Sequence, residues 1–235
     1  MPVSEPLPVV FIPGLLLSAR LYAPQVAALW PHSGVTLANH TRADSVAAIA
    51  RQILAEAPPR FALVGLSMGG YIAFEIYRQA ASRVARLALL DTQARADTPE
   101  ASAARRAQMQ LAREGRFAQV IDNLTPRMLY PERRTDPALV SALRLMGQEV
   151  GIAGYLNQQS ANLGRPDSRP TLGTISCPTL VLVGEQDQLT PPELAREMAA
   201  GVRGAELVLV PECGHLAPLE RPAAVTRALR AWLAR

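Results

Sequence analysis

The chain of 235 residues has no lysine, two cysteines, three histidines and an aromatic content of 5%. Two cysteines, Cys177 and Cys213, cannot build the disulfide framework of a small secreted domain. Neither cysteine has the spacing of a metal ligand, so we expect no metal site. No apolar run reaches the ~18 residues that span a bilayer, and no signal peptide is visible. We therefore expect a cytoplasmic protein that does not bind membranes.

The positive charge is carried by arginine alone and is spread along the chain. The formal net charge is +4, and adjacent arginines occur only at Arg105–Arg106 and Arg133–Arg134. A nucleic-acid-binding surface needs a concentrated basic patch. We therefore expect solvated helix faces and no nucleic-acid partner.

Short aliphatic runs alternate with segments of helical periodicity. Hydrophobic residues make up 49% of the chain, which is enough for a globular core. The alternation is typical of α/β proteins and predicts a doubly wound, mostly parallel sheet of about six strands. The predicted strands cover residues 7–12, 35–38, 61–66, 84–90, 179–183 and 206–210.

The alternation stops between residues 94 and 170, where no strand is predicted. Four helices are predicted instead, over residues 98–116, 117–129, 136–148 and 152–163. A helical insertion between two strands of a sheet predicts a lid over a site, although the helices could simply cover one face. We expect one domain, with core parts at residues 1–93 and 171–235 and a lid at residues 94–170.

A nucleophile motif follows the third predicted strand. The residues at positions 65–69 are Gly-Leu-Ser-Met-Gly, the pattern G-x-S-x-G between a strand and a helix. The chemistry needs a tight turn that lifts the hydroxyl of Ser67 above the strand end. Small residues two positions before and after the serine prevent collisions in that turn. We predict Ser67 as the nucleophile.

A base and an acid are expected at the carboxyl ends of later strands, where parallel sheets place their sites. His215 is the only histidine after Ser67 and follows the last predicted strand. Asp187 follows the strand before it, so the chain order Ser, Asp, His is that of a G-x-S-x-G hydrolase. Glu185 and Asp91 are the competing acids. The other histidines, His32 and His40, are expected in loops outside the site.

Two backbone N–H groups should bind the oxyanion. The N–H of Met68 begins the nucleophile helix, and the N–H of Leu15 follows the turn Pro13-Gly14 after the first strand. The leucines that follow, Leu16 and Leu17, are expected to narrow the site on the alcohol side.

These motifs together resemble the α/β-hydrolase superfamily, in particular its serine hydrolases of the carboxylesterase kind. The resemblance covers nearly the whole chain and includes the segment Gly-His-Leu-Ala-Pro-Leu-Glu-Arg-Pro at residues 214–222. It implies the α/β-hydrolase fold with a helical lid. The chain departs from the common pattern in having Pro13-Gly14 where members often have His-Gly.

The expected reaction is hydrolysis of a small carboxylic ester through an acyl-enzyme on Ser67. Thioester, lactone or carbon–carbon bond hydrolysis with the same triad, and a receptor without turnover, remain alternatives. We expect no cofactor, a small-molecule ester as substrate, and a monomer or homodimer. The expected substrate-binding residues are Leu16, Leu17, Met128, Tyr130, Met146 and Tyr155.

Overall fold

The computed structural model describes residues 6–235, and its six strands form one sheet in which all neighbours are parallel. The strands are β1 Val9–Ile12, β2 Val35–Leu37, β3 Phe61–Leu66, β4 Val84–Leu90, β5 Thr179–Gly184 and β6 Glu206–Val210. Their order across the sheet is β2-β1-β3-β4-β5-β6. The predicted six-stranded, doubly wound sheet is confirmed.

The aliphatic runs form strands because the central strands are covered on both faces. Every residue of β1, β3 and β5 is buried, whereas the edge strands β2 and β6 are partly exposed. The first strand begins at Val9 rather than at residue 7. Pro8 has no N–H for the ladder, although its carbonyl accepts a hydrogen bond from Ala62 N at 2.8 Å.

Helices cover both faces of the sheet. They are α1 Ala23–Leu29, α2 Val46–Glu56, α3 Met68–Ala80, α4 Pro99–Arg113, α5 Phe117–Met128, α6 Pro137–Leu163, α7 Arg169–Leu172, α8 Pro192–Gly201, α9 Ala217–Glu220 and α10 Pro222–Leu233. Apolar residues of α2, α3 and α8 pack in one core cluster, and those of α1 and α10 pack in the other. The short helices α7 and α9 carry too few residues to show helical periodicity in the sequence.

The insertion between β4 and β5 is helical, as predicted, and consists mainly of α4, α5 and α6. Two predicted helices of this region are joined in α6, where Gly151 interrupts the helix with φ 68° and ψ 169°. That conformation is essentially restricted to glycine. The exact limits of the lid, residues 94–170, stay a prediction.

None of the helices within residues 6–235 combines the length and the hydropathy needed to cross a bilayer.

Candidate active site

The predicted nucleophile lies in a strained turn between β3 and α3. Ser67 has φ 53° and ψ −116°, a backbone conformation that a residue with a side chain rarely adopts. The flanking glycines make the turn possible. A Cβ atom on Gly65 would lie 2.3 Å from the carbonyl oxygen of Gly69, and one on Gly69 would lie 2.1 Å from that of Ile12. The G-x-S-x-G spacing therefore reflects backbone contacts.

The predicted base and acid form a buried pair. His215 Nδ1 lies 2.8 Å from Asp187 Oδ2, and the two residues are 1% and 3% exposed. Burial raises the pKa of Asp187, but the charge and hydrogen bond of His215, with hydrogen bonds from Thr190, lower that pKa below its usual value overall. Asp187 is therefore ionised and fixes the imidazole with Nδ1 towards it.

Neither competing acid forms a hydrogen bond with the imidazole. Glu185 is exposed at the surface. The buried Asp91 accepts hydrogen bonds from Gly184 N at 2.9 Å and Ala217 N at 3.2 Å. It thus ties the end of β5 to the loop that carries His215. Burial, followed by the charge of Asp187, raises the pKa of Asp91.

Glu220 holds the loop that carries His215 through hydrogen bonds, a role that no pattern in the sequence indicated. Its buried carboxylate accepts hydrogen bonds from Tyr130 N at 2.7 Å and Gly214 N at 2.9 Å. Burial raises the pKa of Glu220, and these hydrogen bonds oppose that effect. One side chain therefore connects the histidine loop to the lid. Glu220 lies in the segment at residues 214–222 that resembles the family, but that segment does not indicate that Glu220 contacts the lid.

The two predicted oxyanion donors have no acceptor among the described residues. No hydrogen bond is formed by Leu15 N or Met68 N, and both residues line the cavity that contains Ser67. The turn lies close to the nucleophile, because a Cβ atom on Gly14 would be 3.1 Å from Ser67 Cβ. Two free N–H groups beside the serine are what an oxyanion needs.

The buried His40 and Gln158 of α6 contact the turn at residues 13–16, the predicted oxyanion turn. Leu16, with φ 60°, donates its N–H to Gln158 Oε1 at 3.0 Å. His40 Nε2 lies 2.9 Å from both Gly14 O and Gln158 Nε2. Burial lowers the pKa of His40 to about 4, partly offset by the contact with Gly14. His40 is thus neutral near pH 7, and it contacts the turn beside Ser67 instead of lining the cavity.

Ser67 and His215 line one cavity of about 330 Å³. Their side chains form no direct hydrogen bond in this structure; nucleophile–base hydrogen bonds are often long before substrate binds. Of the six predicted substrate-binding residues, Met128 and Tyr155 line the cavity. The other four do not: Leu16, Leu17, Tyr130 and Met146.

Packing explains most of that difference. Leu17 and Met146 are buried in the core between sheet and helices, and Leu16 packs in a small cluster with Val120 and Tyr155. Only Leu15 of the three leucines faces the cavity. The lining contains more polar side chains than the sequence suggested: Tyr71, Gln93, Asp97, Arg105, Gln108, Asn123, Arg127, Gln159, Asn162 and Thr190.

Within residues 6–235, no group of three or more His, Cys, Asp or Glu side chains is arranged to hold a metal ion.

Comparisons with known proteins identify the family and agree with the fold. The model described as "Alpha/beta hydrolase family" matches residues 9–228. A thermophilic esterase from Thermogutta terrifontis is 32% identical, with a TM-score of 0.89 over 97% of this chain and 89% of that one. The enol-lactonase from Burkholderia xenovorans LB400 is 26% identical, with a TM-score of 0.87 over 97% and 92%.

A curated relative is the 2-hydroxy-6-oxononadienedioate/2-hydroxy-6-oxononatrienedioate hydrolase of Klebsiella pneumoniae. It is 27% identical over 216 residues, which cover 88% of this chain and 74% of that protein. The family model extends over most of the chain, and the matched range contains the positions of Ser67, Asp187 and His215. The chain therefore belongs to the alpha/beta hydrolase family.

Proposed function

We propose that this protein is a serine hydrolase that cleaves a small carboxylic ester through an acyl-enzyme. The observation that carries the proposal is one cavity lined by a strained serine, a histidine bonded to a buried carboxylate and two free N–H groups. These are the parts that acyl transfer requires: a nucleophile, an oriented base and an oxyanion site. The catalytic residues of the proposal are Ser67, His215 and Asp187.

In the proposed mechanism, Ser67 Oγ attacks the ester carbonyl while His215 Nε2 takes its proton. The negative oxygen is bound by the N–H groups of Leu15 and Met68. When the tetrahedral intermediate collapses, the carbon–oxygen bond breaks and His215 gives the proton to the leaving alcohol. A water molecule then attacks the acyl-enzyme, with His215 again as base, and releases the acid. Asp187 stabilises the imidazolium formed in both steps.

The size of the cavity favours a small substrate. A volume of about 330 Å³ lies at the lower end of the range for small-molecule sites. The similarity to the Thermogutta esterase supports an ester in particular. Met128, Tyr155 and Leu15 are the apolar and aromatic residues that we propose to contact the substrate.

The test is turnover of p-nitrophenyl acetate and butyrate by the purified protein, together with labelling by a fluorophosphonate. Wild type should turn over the ester and take one label, and Ser67→Ala should do neither. Ser82→Ala, an exposed serine without side-chain hydrogen bonds among the described residues, is the matched control and should behave as wild type. Equal turnover by Ser67→Ala and wild type would refute the nucleophile, and labelling without turnover of any ester would favour a receptor.

A lactone is the second candidate bond, because the enol-lactonase similarity covers 97% of this chain. The same serine chemistry opens a lactone, so kcat/KM values for an ester, an aryl thioester, a lactone and a carbon–carbon substrate decide between them. The cytoplasmic location, the monomeric or homodimeric state and the lack of a cofactor stay predictions. Activity that survives dialysis against a chelator would support the last of these.

A further inference from the structure

The lid end of the cavity contains an excess of positive charge. Asp97 is the only acidic residue that lines the cavity within the described part of the chain. Its carboxylate is shared by two arginines: Arg105 Nε lies 2.6 Å from Oδ2, and Arg165 Nη1 lies 2.5 Å from Oδ1. One carboxylate between two guanidinium groups leaves one positive charge, and Arg127 lines the cavity as well.

This charge is held away from bulk solvent. The side chains of Asp97 and Arg165 are 5% and 2% exposed, and that of Arg105 is 21% exposed. The guanidinium of Arg165 also lies over the ring of Tyr71, 4.2 Å from its centre. A charge in such surroundings without a counter-charge is costly. An anion in the cavity would remove that cost.

The guanidinium of Arg105, in the same region, keeps hydrogen-bond donors that it does not use. A guanidinium has five N–H groups. Arg105 uses three of them, two on Asp97 and one on Gln159 Oε1 at 2.9 Å, which leaves two unused. Asn162, which also lines the cavity and is 1% exposed, has an acceptor atom, Oδ1, without a hydrogen-bond partner among the described residues.

We propose that Arg105 binds a free carboxylate of the substrate, so that the preferred ester carries a carboxylate remote from the bond that is cleaved. The proposal rests on the ester hydrolysis proposed above. Two unused N–H groups of one guanidinium suit the two oxygens of a carboxylate. Asp97 and Gln159 hold the guanidinium in place.

Paired substrates test this proposal. Each anionic ester is compared with its neutral primary amide, which has the same shape. Monomethyl esters of succinate, glutarate and adipate carry the carboxylate on the acid part, and γ-acetoxybutyrate carries it on the alcohol part. Wild type should prefer the carboxylate over the amide in kcat/KM by about tenfold to a hundredfold in at least one pair, as expected for a charge-assisted hydrogen bond.

Arg105→Met should reduce that ratio to about one, and Arg105→Lys should leave an intermediate ratio because it keeps the charge. Arg106→Met is the matched control, since Arg106 is the exposed neighbour on the same helix and carries the same charge. The ratio should be unchanged there. No preference for the carboxylate in any pair, or an unchanged ratio in Arg105→Met, would overturn the proposal.

A binding measurement separates this proposal from the proposed function. Titration calorimetry with Ser67→Ala and the preferred anionic ester should show binding that Arg105→Met in the same background weakens at least tenfold. If wild type hydrolyses no ester but Arg105-dependent binding is observed, ester hydrolysis is contradicted and the carboxylate site is not. Turnover without Arg105-dependent binding would contradict the carboxylate site alone.

Discussion

The buried carboxylates on the sheet side of the cavity and the polar side chains on its lid side differ in how fully they are hydrogen-bonded. On the sheet side, the carboxylate of Asp187 accepts hydrogen bonds from Leu189 N, Thr190 N and Thr190 Oγ1 and contacts His215. Asp91 likewise has both oxygens bonded to backbone N–H groups. On the lid side, Arg105 and Asn162 keep polar atoms without partners.

This contrast indicates that the two sides of the cavity have different roles. Groups already held in position need no rearrangement when charge develops during the reaction. Groups without partners instead gain most from a ligand that supplies the missing hydrogen bonds. We infer that the sheet edge determines which reaction occurs and that the lid determines which substrate is accepted. Four further predictions test whether the two sides of the cavity act independently.

The largest effect is expected on the sheet side. Asp187→Asn keeps the shape of the side chain but removes the charge that orients His215, so kcat should fall by about 10⁴. Steady-state kinetics with p-nitrophenyl butyrate measures the loss. Glu185→Gln, which removes a charge from an exposed residue two positions away, should change kcat little. A larger loss in Asp91→Asn than in Asp187→Asn would move the acid to the end of β4.

The second prediction concerns His40, which lies between the oxyanion turn and the lid. Its folded-state pKa of about 4 is below the unfolded value of ~6.5. The unfolded chain therefore takes up a proton first, and stability present above about pH 6.5 is lost as the pH falls towards 4. The loss should be on the order of 3 kcal/mol.

Urea unfolding at pH 7 and pH 4.5 measures this effect as the difference between wild type and His40→Gln. The variant should lose less stability between the two pH values. His32→Gln, at an exposed position, should follow wild type. Parallel pH dependence in wild type and His40→Gln would show that His40 is not buried as a neutral group.

The third prediction tests the helix interruption within the lid. Gly151→Ala would force a side chain into φ 68°, although a Cβ atom there meets nothing within 4 Å. The cost is therefore backbone strain alone, about 1–3 kcal/mol, seen as a lower free energy of unfolding. Gly173→Ala, where a Cβ atom also has open space but φ is negative, should cost nothing comparable.

The smallest effect tests whether the two sides are coupled. Gln158→Leu removes the lid acceptor for Leu16 N and the contact with His40. Because Leu16 is next to the proposed oxyanion donor, kcat should fall by about tenfold, the size expected when a hydrogen bond worth about 1.4 kcal/mol is lost, with little change in KM. Gln148→Leu, exposed on the same helix, is the control. An unchanged kcat in Gln158→Leu would mean that the turn keeps its shape without the lid.

Local sequence patterns were sufficient to predict the strands and the turn that carries Ser67. The strands Phe61–Leu66, Val84–Leu90 and Glu206–Val210 have the predicted bounds, because continuous aliphatic runs with turn residues at their ends leave little choice. The turn at Ser67 was predictable as well. Its glycines are required because a Cβ atom at Gly65 or Gly69 would collide with nearby backbone.

Features that depend on contacts distant in the chain were not predictable. Nothing around His40 in the sequence distinguishes it from a loop histidine, because its hydrogen-bond partner Gln158 comes 118 positions later. Arg105 lies on α4, a helix rich in polar residues, and only the packing of that helix against α5 and α6 places it in the cavity. Leu16 and Leu17 were expected in the site but pack in buried apolar clusters. Their direction is determined by the tertiary fold and not by the local sequence.

The hydrogen bond from Leu16 to Gln158 also has a consequence for folding, because it spans 142 positions. Contacts of such long range close a large loop and tend to form late. During synthesis, the oxyanion turn leaves the ribosome long before its partner in α6 exists. A nascent chain that already contains β1, β3 and the serine turn would therefore still lack the support of that turn. Full activity should then arise only once α6 has packed against that turn.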